Sequence, residues 1–331
     1  MKAVATAFAT VAVLTGCTSP TDDRVEPRPS APAASTATPT PSPTPTYRPD
    51  SLRAAFDAPV SAGDLTGRGA WVDVGPYARR EVTWRSDDLT VSGVLFKPDG
   101  DGPFPAVVLN HGYIDPAVYA PGQGMPREQD LLARRGFMVL HVDYRGHASG
   151  DDVSALTHEM RVGYARDAIA AVKVLEARPD VDADRIGMFG RSMGGGVTLA
   201  ALEIEPDVVD AAVVHASVSS RFVDNFRRWT VPSRSGRATA LTEQIGTVEQ
   251  APERWAELSP RTYLDRIEAS VLMVHGGLDD SCPIDWSRQT AEALERAGGD
   301  VELVEYPNQG HTFDVEWADA MERTIDHLEA A

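Results

Sequence analysis

From about Ser51 onward, short apolar runs alternate with stretches whose apolar residues recur every three or four positions. Strand-like pieces fall at 70–74, 80–85 and 89–96, after a short amphipathic stretch at 51–58. Val107-Val108-Leu109 closes a buried strand, and Phe137 to Val142 forms another. A helix follows, with Ala168, Ile169, Val172 and Leu175 on one stripe. The pattern then predicts a strand at 185–189, a helix at 193–203 and a strand at 211–215. It resumes with a strand at 271–275, a helix at 286–297, a strand at 301–306 and a helix at 315–329. Continuous apolar runs alternating with helices mean a mostly parallel sheet covered by helices on both faces. The expected fold class is α/β.

Residues 218–265 break this rhythm. They carry Phe222, Phe226, Trp229 and Trp255, with five arginines between 221 and 237. Such an interruption between strands reads as a cap insertion. Trp229, Arg227 and Phe226 are its candidate substrate contacts, because aromatics supply apolar area and arginine can clamp a carboxylate or carbonyl.

The first 50 residues follow a different pattern. Lys2 precedes an apolar run from Ala3 to Leu14, too short to span a bilayer as a helix. Leu14-Thr15-Gly16-Cys17 then resembles a bacterial lipobox, which implies a signal peptide over 1–16 and a lipid on Cys17. Residues 18–50 hold nine prolines and eleven Ser/Thr, with Val25 the one branched aliphatic. That composition cannot bury enough apolar surface to offset ordering entropy. It reads as a tether, so the expected organisation is an exported, outward-facing, lipid-anchored domain over 51–331. A soluble secreted form is the alternative.

Charge narrows the partners. The 331-residue chain has a formal net charge of −18, with 49 acidic residues against 31 basic ones. Nucleic-acid binding needs a basic face, so it is not expected. A basic membrane-surface patch is equally unsupported, which leaves the lipid as the membrane contact. Two cysteines, Cys17 and Cys282, cannot build a disulfide framework or a four-ligand zinc site alone. Asp180, Asp182 and Asp184 start like a calcium loop. The loop's glycine and glutamate positions hold Arg185 and Arg191, so no metal site is expected.

The chemistry gathers at the ends of the apolar runs. Gly190-Arg191-Ser192-Met193-Gly194 lies between a strand and a helix. Turning there at a single residue strains its backbone and requires small neighbours, which presents Ser192 as a nucleophile. A serine hydroxyl needs a base, and the base needs an orienting acid. His311 sits in a loop just after the strand at 301–306 and is the expected base. His141, His275 and His327 fall in strands or on the last helix and read as structural. The acid is expected from His275-Gly276-Gly277-Leu278-Asp279-Asp280; Asp279 is taken, with Asp280 the neighbouring candidate. The oxyanion hole needs two backbone donors. The N–H groups of Met193 and Tyr113 fill that role, with Gly112 allowing close approach and His111 supporting the loop. Asp143 and Arg145 read as loop-ordering residues, and Cys282 as a small buried one.

On these residues the segment 89–330 resembles an α/β-hydrolase. Within that superfamily it is similar to the catalytic domain of the prolyl oligopeptidase group and to dienelactone-hydrolase-like proteins. The matching pieces are His111-Gly112, Asp143-Tyr144-Arg145-Gly146, Asp184-Arg185-Ile186-Gly187, the Ser192 elbow, the run from His275 through Asp279 to Pro283, and Gly310-His311. Gly112-Tyr113 with Ser192-Met193-Gly194-Gly195 is also similar to the cutinase and polyester-hydrolase branch, where those positions form the oxyanion hole. The resemblance implies hydrolysis through an acyl-enzyme with no cofactor. Prolyl oligopeptidases carry a large β-propeller, for which fewer than 60 residues between tether and first matching strands leave no room.

Three functions therefore stand open. The chain could hydrolyse short peptides or amides, or act as a carboxylesterase with the same triad. As a third reading, it could be a non-catalytic surface protein that uses the fold for binding. The filled triad and oxyanion positions favour an enzyme on a small ester or short-peptide substrate.

Overall fold

The computed structural model describes residues 50–330, so the lipobox, Cys17 and most of the tether lie outside the described residues. Nine strands form one sheet: β1 (Thr66–Asp73), β2 (Tyr77–Ser86), β3 (Leu89–Pro98), β4 (Phe104–Asn110), β5 (Met138–Val142), β6 (Val181–Arg191), β7 (Ala211–His215), β8 (Ser270–Gly276) and β9 (Val301–Tyr306). Their order is β1-β2-β3-β5-β4-β6-β7-β8-β9. The first three pair antiparallel with one another, and β3 pairs antiparallel with β5. Every pairing from β5 to β9 is parallel.

Burial explains the apolar runs. All five residues of β5 and of β7 are buried, because helices cover both sheet faces. The helices are α1 (Leu52–Ala55), α2 (Pro126–Arg134), α3 (Ala155–Met160), α4 (Val162–Glu176), α5 (Met193–Ile204), α6 (Phe222–Asn225), α7 (Val231–Ser233), α8 (Ser235–Ile245), α9 (Pro252–Ala256), α10 (Ile284–Arg296) and α11 (Trp317–Glu329). One face packs Ile169, Val172 and Leu175 of α4 with Val197 and Leu199 of α5 and Leu294 of α10. The other packs Leu132 of α2 and Met321 and Ile325 of α11 against Val107, Val139 and Phe189. The strand and helix positions read from the sequence hold, with boundaries shifted by a few residues. The short helices α2 and α3 escaped it.

The chain enters the parallel part of the sheet at β4, steps to β5 on one side, then crosses to β6 on the other. Loops leaving the carboxyl ends of β4 and β6 therefore diverge and open a crevice, the usual place for a ligand in such sheets. The segment 218–265 runs between β7 and β8 and is helical throughout much of its length, with α6 to α9 and one π-helical turn at Phe226–Thr230.

Candidate active site

Ser192 sits at the junction of β6 and α5 with φ 57° and ψ −120°, a strained backbone for a residue with a side chain. Backbone hydrogen bonds hold that strain, among them one from Gly195 N–H to the Ser192 carbonyl at 3.0 Å. The Ser192 N–H donates to the His215 carbonyl at 2.9 Å, and its own carbonyl accepts from Val218 N–H at 3.2 Å. The glycines around it are steric necessities. A Cβ on Gly194 would lie 1.8 Å from the Asn110 carbonyl oxygen, so only glycine lets the end of β4 press against the elbow. Asn110 completes that junction by donating its Nδ2 to Thr198 Oγ1 at 3.0 Å inside the core.

The acid and base loops meet in the same way. A Cβ on Gly276 would fall 2.3 Å from the Gln309 carbonyl oxygen, and Leu278 N–H donates to that carbonyl at 2.9 Å. This contact brings Asp279 Oδ2 to 2.8 Å from His311 Nδ1. Asp279 is buried, whereas Asp280 is exposed and offers Arg228 its backbone carbonyl. The geometry thus separates the two aspartates.

Asp279 is fixed on all sides. Its Oδ1 accepts the N–H groups of Ser281 and Cys282, both at 2.8 Å. Its Oδ2 also lies 3.1 Å from His275 Nε2. Burial alone would raise its pKa, but the hydrogen bonds from His275, His311 and Cys282 outweigh that and hold the carboxyl well below its ordinary range. His275 is a structural residue, as its strand position suggested, yet it works at the site. Its Nε2 faces the Asp279 carboxylate and the Cys282 carbonyl (2.8 Å), and its Nδ1 faces Ser287 Oγ at 2.6 Å. Two acceptors on the Nε2 side place a hydrogen there. With its Nδ1–H directed at Asp279, His311 leaves Nε2 free for the cavity.

Ser192, Met193, Tyr113 and His311 line one cavity of about 270 Å³, together with Arg161, Val218, Trp229, Arg234 and Ser281. Neither the Tyr113 N–H nor the Met193 N–H is taken by a carbonyl among the described residues. Met193 opens α5, where the first N–H groups lack helical partners and the helix dipole is positive. His111 is buried beneath this loop, with Nδ1 2.6 Å from the Gly112 carbonyl oxygen, and burial brings its pKa down to about 3. It supports the loop, as expected from the sequence. Asp143 likewise orders loops, accepting from Ser92, Tyr119 and Gly122, and Arg145 pairs with buried Asp167 at 2.7 Å.

The cap candidates divide. Trp229 lines the cavity and packs edge-on against Trp286, with ring centroids 5.5 Å apart. Phe226 does not reach it: the ring is buried against Trp255 at 4.6 Å and holds the cap together. Arg227 points elsewhere, exposed and paired with Glu249 at 3.2 Å. The arginines that do line the cavity, Arg161 and Arg234, were not singled out in the sequence. Nothing local marks them; only the approach of α3, α4 and the cap does.

Cys282 is buried as expected, but it stands inside the site, with Sγ 3.9 Å from Ser192 Oγ. Burial, reinforced by Asp279, pushes its thiol up to about 12, so it carries no thiolate at neutral pH. Asp279, Cys282 and His311 offer ligand atoms within 4.8 Å of one another. His311 Nδ1 there is already engaged by the Asp279 carboxylate at 2.8 Å. Among the described residues, no helix is long and apolar enough to cross a membrane.

A model of the prolyl oligopeptidase family matches residues 124–329. The uncharacterized peptidase YuxL of Bacillus subtilis is 27% identical over 240 residues, covering 70% of this chain and 35% of that protein. The uncharacterized peptidase YtmA of the same organism is 27% identical over 234 residues, covering 70% of this chain and 85% of that protein. Among solved structures, acetyl xylan esterase 1 from Thermoanaerobacterium sp. JW/SL YS485 superposes with a TM-score of 0.62 at 20% identity, covering 84% of this chain and 92% of that one. That likeness shows an α/β-hydrolase fold.

Proposed function

From the premise that the chain belongs to the prolyl oligopeptidase family, we propose that it is a serine hydrolase of ester or peptide bonds acting through an acyl-enzyme. One observation carries the reading above the rest. Ser192 on its strained elbow shares a cavity with His311, whose Nδ1 is tied to the buried Asp279 at 2.8 Å. In the proposed reaction Ser192 Oγ attacks the substrate carbonyl while its proton passes to His311 Nε2. Asp279 keeps the imidazole oriented and stabilises the imidazolium. The N–H groups of Met193 and Tyr113 receive the oxyanion. His311 then gives the proton to the departing alcohol or amine. A water molecule, deprotonated by the same histidine, attacks the acyl-Ser192 ester and releases the acid.

The lining bears on substrate choice. None of the cavity residues is a carboxylate, so no acidic pair there grips a free amino terminus. This favours esters and blocked peptides over peptides with a free ammonium group. Chromogenic short-chain esters and blocked and unblocked aminoacyl amides, assayed on wild type and Ser192→Ala, test the reading. Turnover of an ester or blocked amide that vanishes in Ser192→Ala supports it, and equal turnover by both proteins contradicts it. A non-catalytic surface protein would turn over none.

Export and lipidation at Cys17 belong to the same proposal and rest on Leu14-Thr15-Gly16-Cys17 and the proline-rich stretch after it. Mass analysis of the mature amino terminus tests them. A diacylated Cys17 is expected, and a free amino terminus elsewhere rejects the anchor in favour of a secreted form.

A further inference from the structure

We propose that the Ser192 cavity contains a carboxylate-recognising subsite built on Arg161, so that the preferred substrate carries an anionic group beside the bond to be cleaved. This rests on the reading of Ser192 as the nucleophile and adds a substrate class to it.

Arg161 forms no ion pair within 4 Å among the described residues. It joins α3 to α4 with φ 62°, a left-handed conformation uncommon for a residue with a side chain. Its side chain lines the cavity with Ser192 and His311. No carboxylate lies within 4 Å of its guanidinium among the described residues, and its buried Nε has no hydrogen-bond partner. Burial lowers its pKa, yet arginine stays protonated at any physiological pH. Arg161 is half-buried, so an unpaired charge partly withdrawn from water carries a cost, to which the strained backbone adds. An incoming anion would relieve the first.

The carboxylate that acts on Arg161 through its charge, Glu159, is already shared. Glu159 pairs with Arg234 at 2.7 Å and Arg237 at 3.1 Å, and accepts from Thr230 Oγ1 at 2.8 Å. Three arginines therefore stand around one carboxylate, on a chain whose formal net charge is −18. Arg234 also lines the cavity and lies over the Tyr113 ring, 4.9 Å from its centroid, which ties it to the oxyanion loop. A positive cavity in a negative protein draws anions inward and holds a carboxylate by paired N–H donors.

Binding of glutarate to the full chain, followed through intrinsic tryptophan fluorescence or calorimetry, tests the subsite without requiring turnover. Arg161→Asn removes the charge with a residue that accepts the left-handed backbone, and Arg161→Lys keeps the charge. Saturable binding to wild type is expected, weakened at least about tenfold by Arg161→Asn and restored in part by Arg161→Lys. Two ester pairs then locate the anion. p-Nitrophenyl butyrate against mono-p-nitrophenyl glutarate places it on the acyl side, and phenyl acetate against 4-acetoxybenzoate on the leaving group. One anionic ester should be favoured in kcat/KM by about tenfold, and the ratio should collapse in Arg161→Asn. Glutarate that fails to bind wild type, or binds Arg161→Asn as tightly, overturns the subsite. Intact glutarate binding without fluorophosphonate labelling of Ser192 overturns the hydrolase reading instead.

Discussion

The floor and the roof of the Ser192 cavity are made by different means. The floor is backbone pressed on backbone: Gly194 against the Asn110 carbonyl and Gly276 against the Gln309 carbonyl. Asp279 there accepts hydrogen bonds from two N–H groups as well as from His311. The roof is a set of short helices held by side chains, with Phe226 on Trp255 and Glu159 between Arg234 and Arg237. A floor of this kind tolerates almost no substitution. A roof of this kind can exchange residues and re-aim what lines it. The chemistry is expected to belong to the first and the choice of substrate to the second.

The largest expected effect breaks the floor. Asp279→Asn should lower kcat by about 10⁴-fold, since the amide cannot hold the imidazole as the carboxylate does. Asp280→Asn, exposed and engaged through its backbone carbonyl, should change kcat less than about twofold. Steady-state rates on one chromogenic ester decide this, and a reversal of the two effects would move the acid by one residue.

Trp229→Ala, in the roof, should instead alter the ratio of kcat/KM between a short and a long acyl ester by about threefold to tenfold, with the melting temperature little changed. Arg227→Ala should alter neither, because its exposed pair with Glu249 is worth under about 1 kcal/mol. Equal losses on both esters in Trp229→Ala, tracking a lower melting temperature, would make that ring a structural prop.

This contrast also explains what could be read in the chain itself. The sheet was legible because β5, β7 and the inner part of β4 are buried on both faces and so read as unbroken apolar runs. The elbow at Ser192 was legible as a place because its strain demands glycines at set offsets, and the loops of Asp279 and His311 because each follows a strand in order. The roof gave its place but not its roles. Of three residues named there, Trp229 lines the cavity while Arg227 and Phe226 do not. Arg161 and Arg234 carry no local signature, since their importance comes from segments far apart in sequence. The contribution of His275 to Asp279 was hidden for the same reason: a histidine in a buried strand reads as core until the loop that folds back on it is seen.

Acid should weaken floor and roof in sequence. Burial holds His111 and His215, both buried by the β4 and β7 ends, down to about 3, against an ordinary 6.5. Below pH 6.5 the unfolded chain takes up protons that the folded one refuses, so their contribution to stability is complete above 6.5 and is lost toward 3. For Glu159 burial would raise the pKa, but Arg234 and its neighbours hold it below the ordinary 4.5, so that contribution is lost only at lower pH. The urea midpoint should therefore fall between pH 7 and pH 5, by the same amount in Glu159→Gln as in wild type. A midpoint flat across that interval would mean the histidines are protonated in the folded protein.

Every role proposed for the cavity depends on Ser192 as the nucleophile. Incubating the wild-type chain with a fluorophosphonate and locating the adduct by peptide mass spectrometry tests it directly. The expected result is a single adduct on Ser192, absent from Ser192→Ala at unchanged melting temperature and strongly slowed in His311→Ala. An adduct on another serine, or labelling that persists in Ser192→Ala, would contradict it.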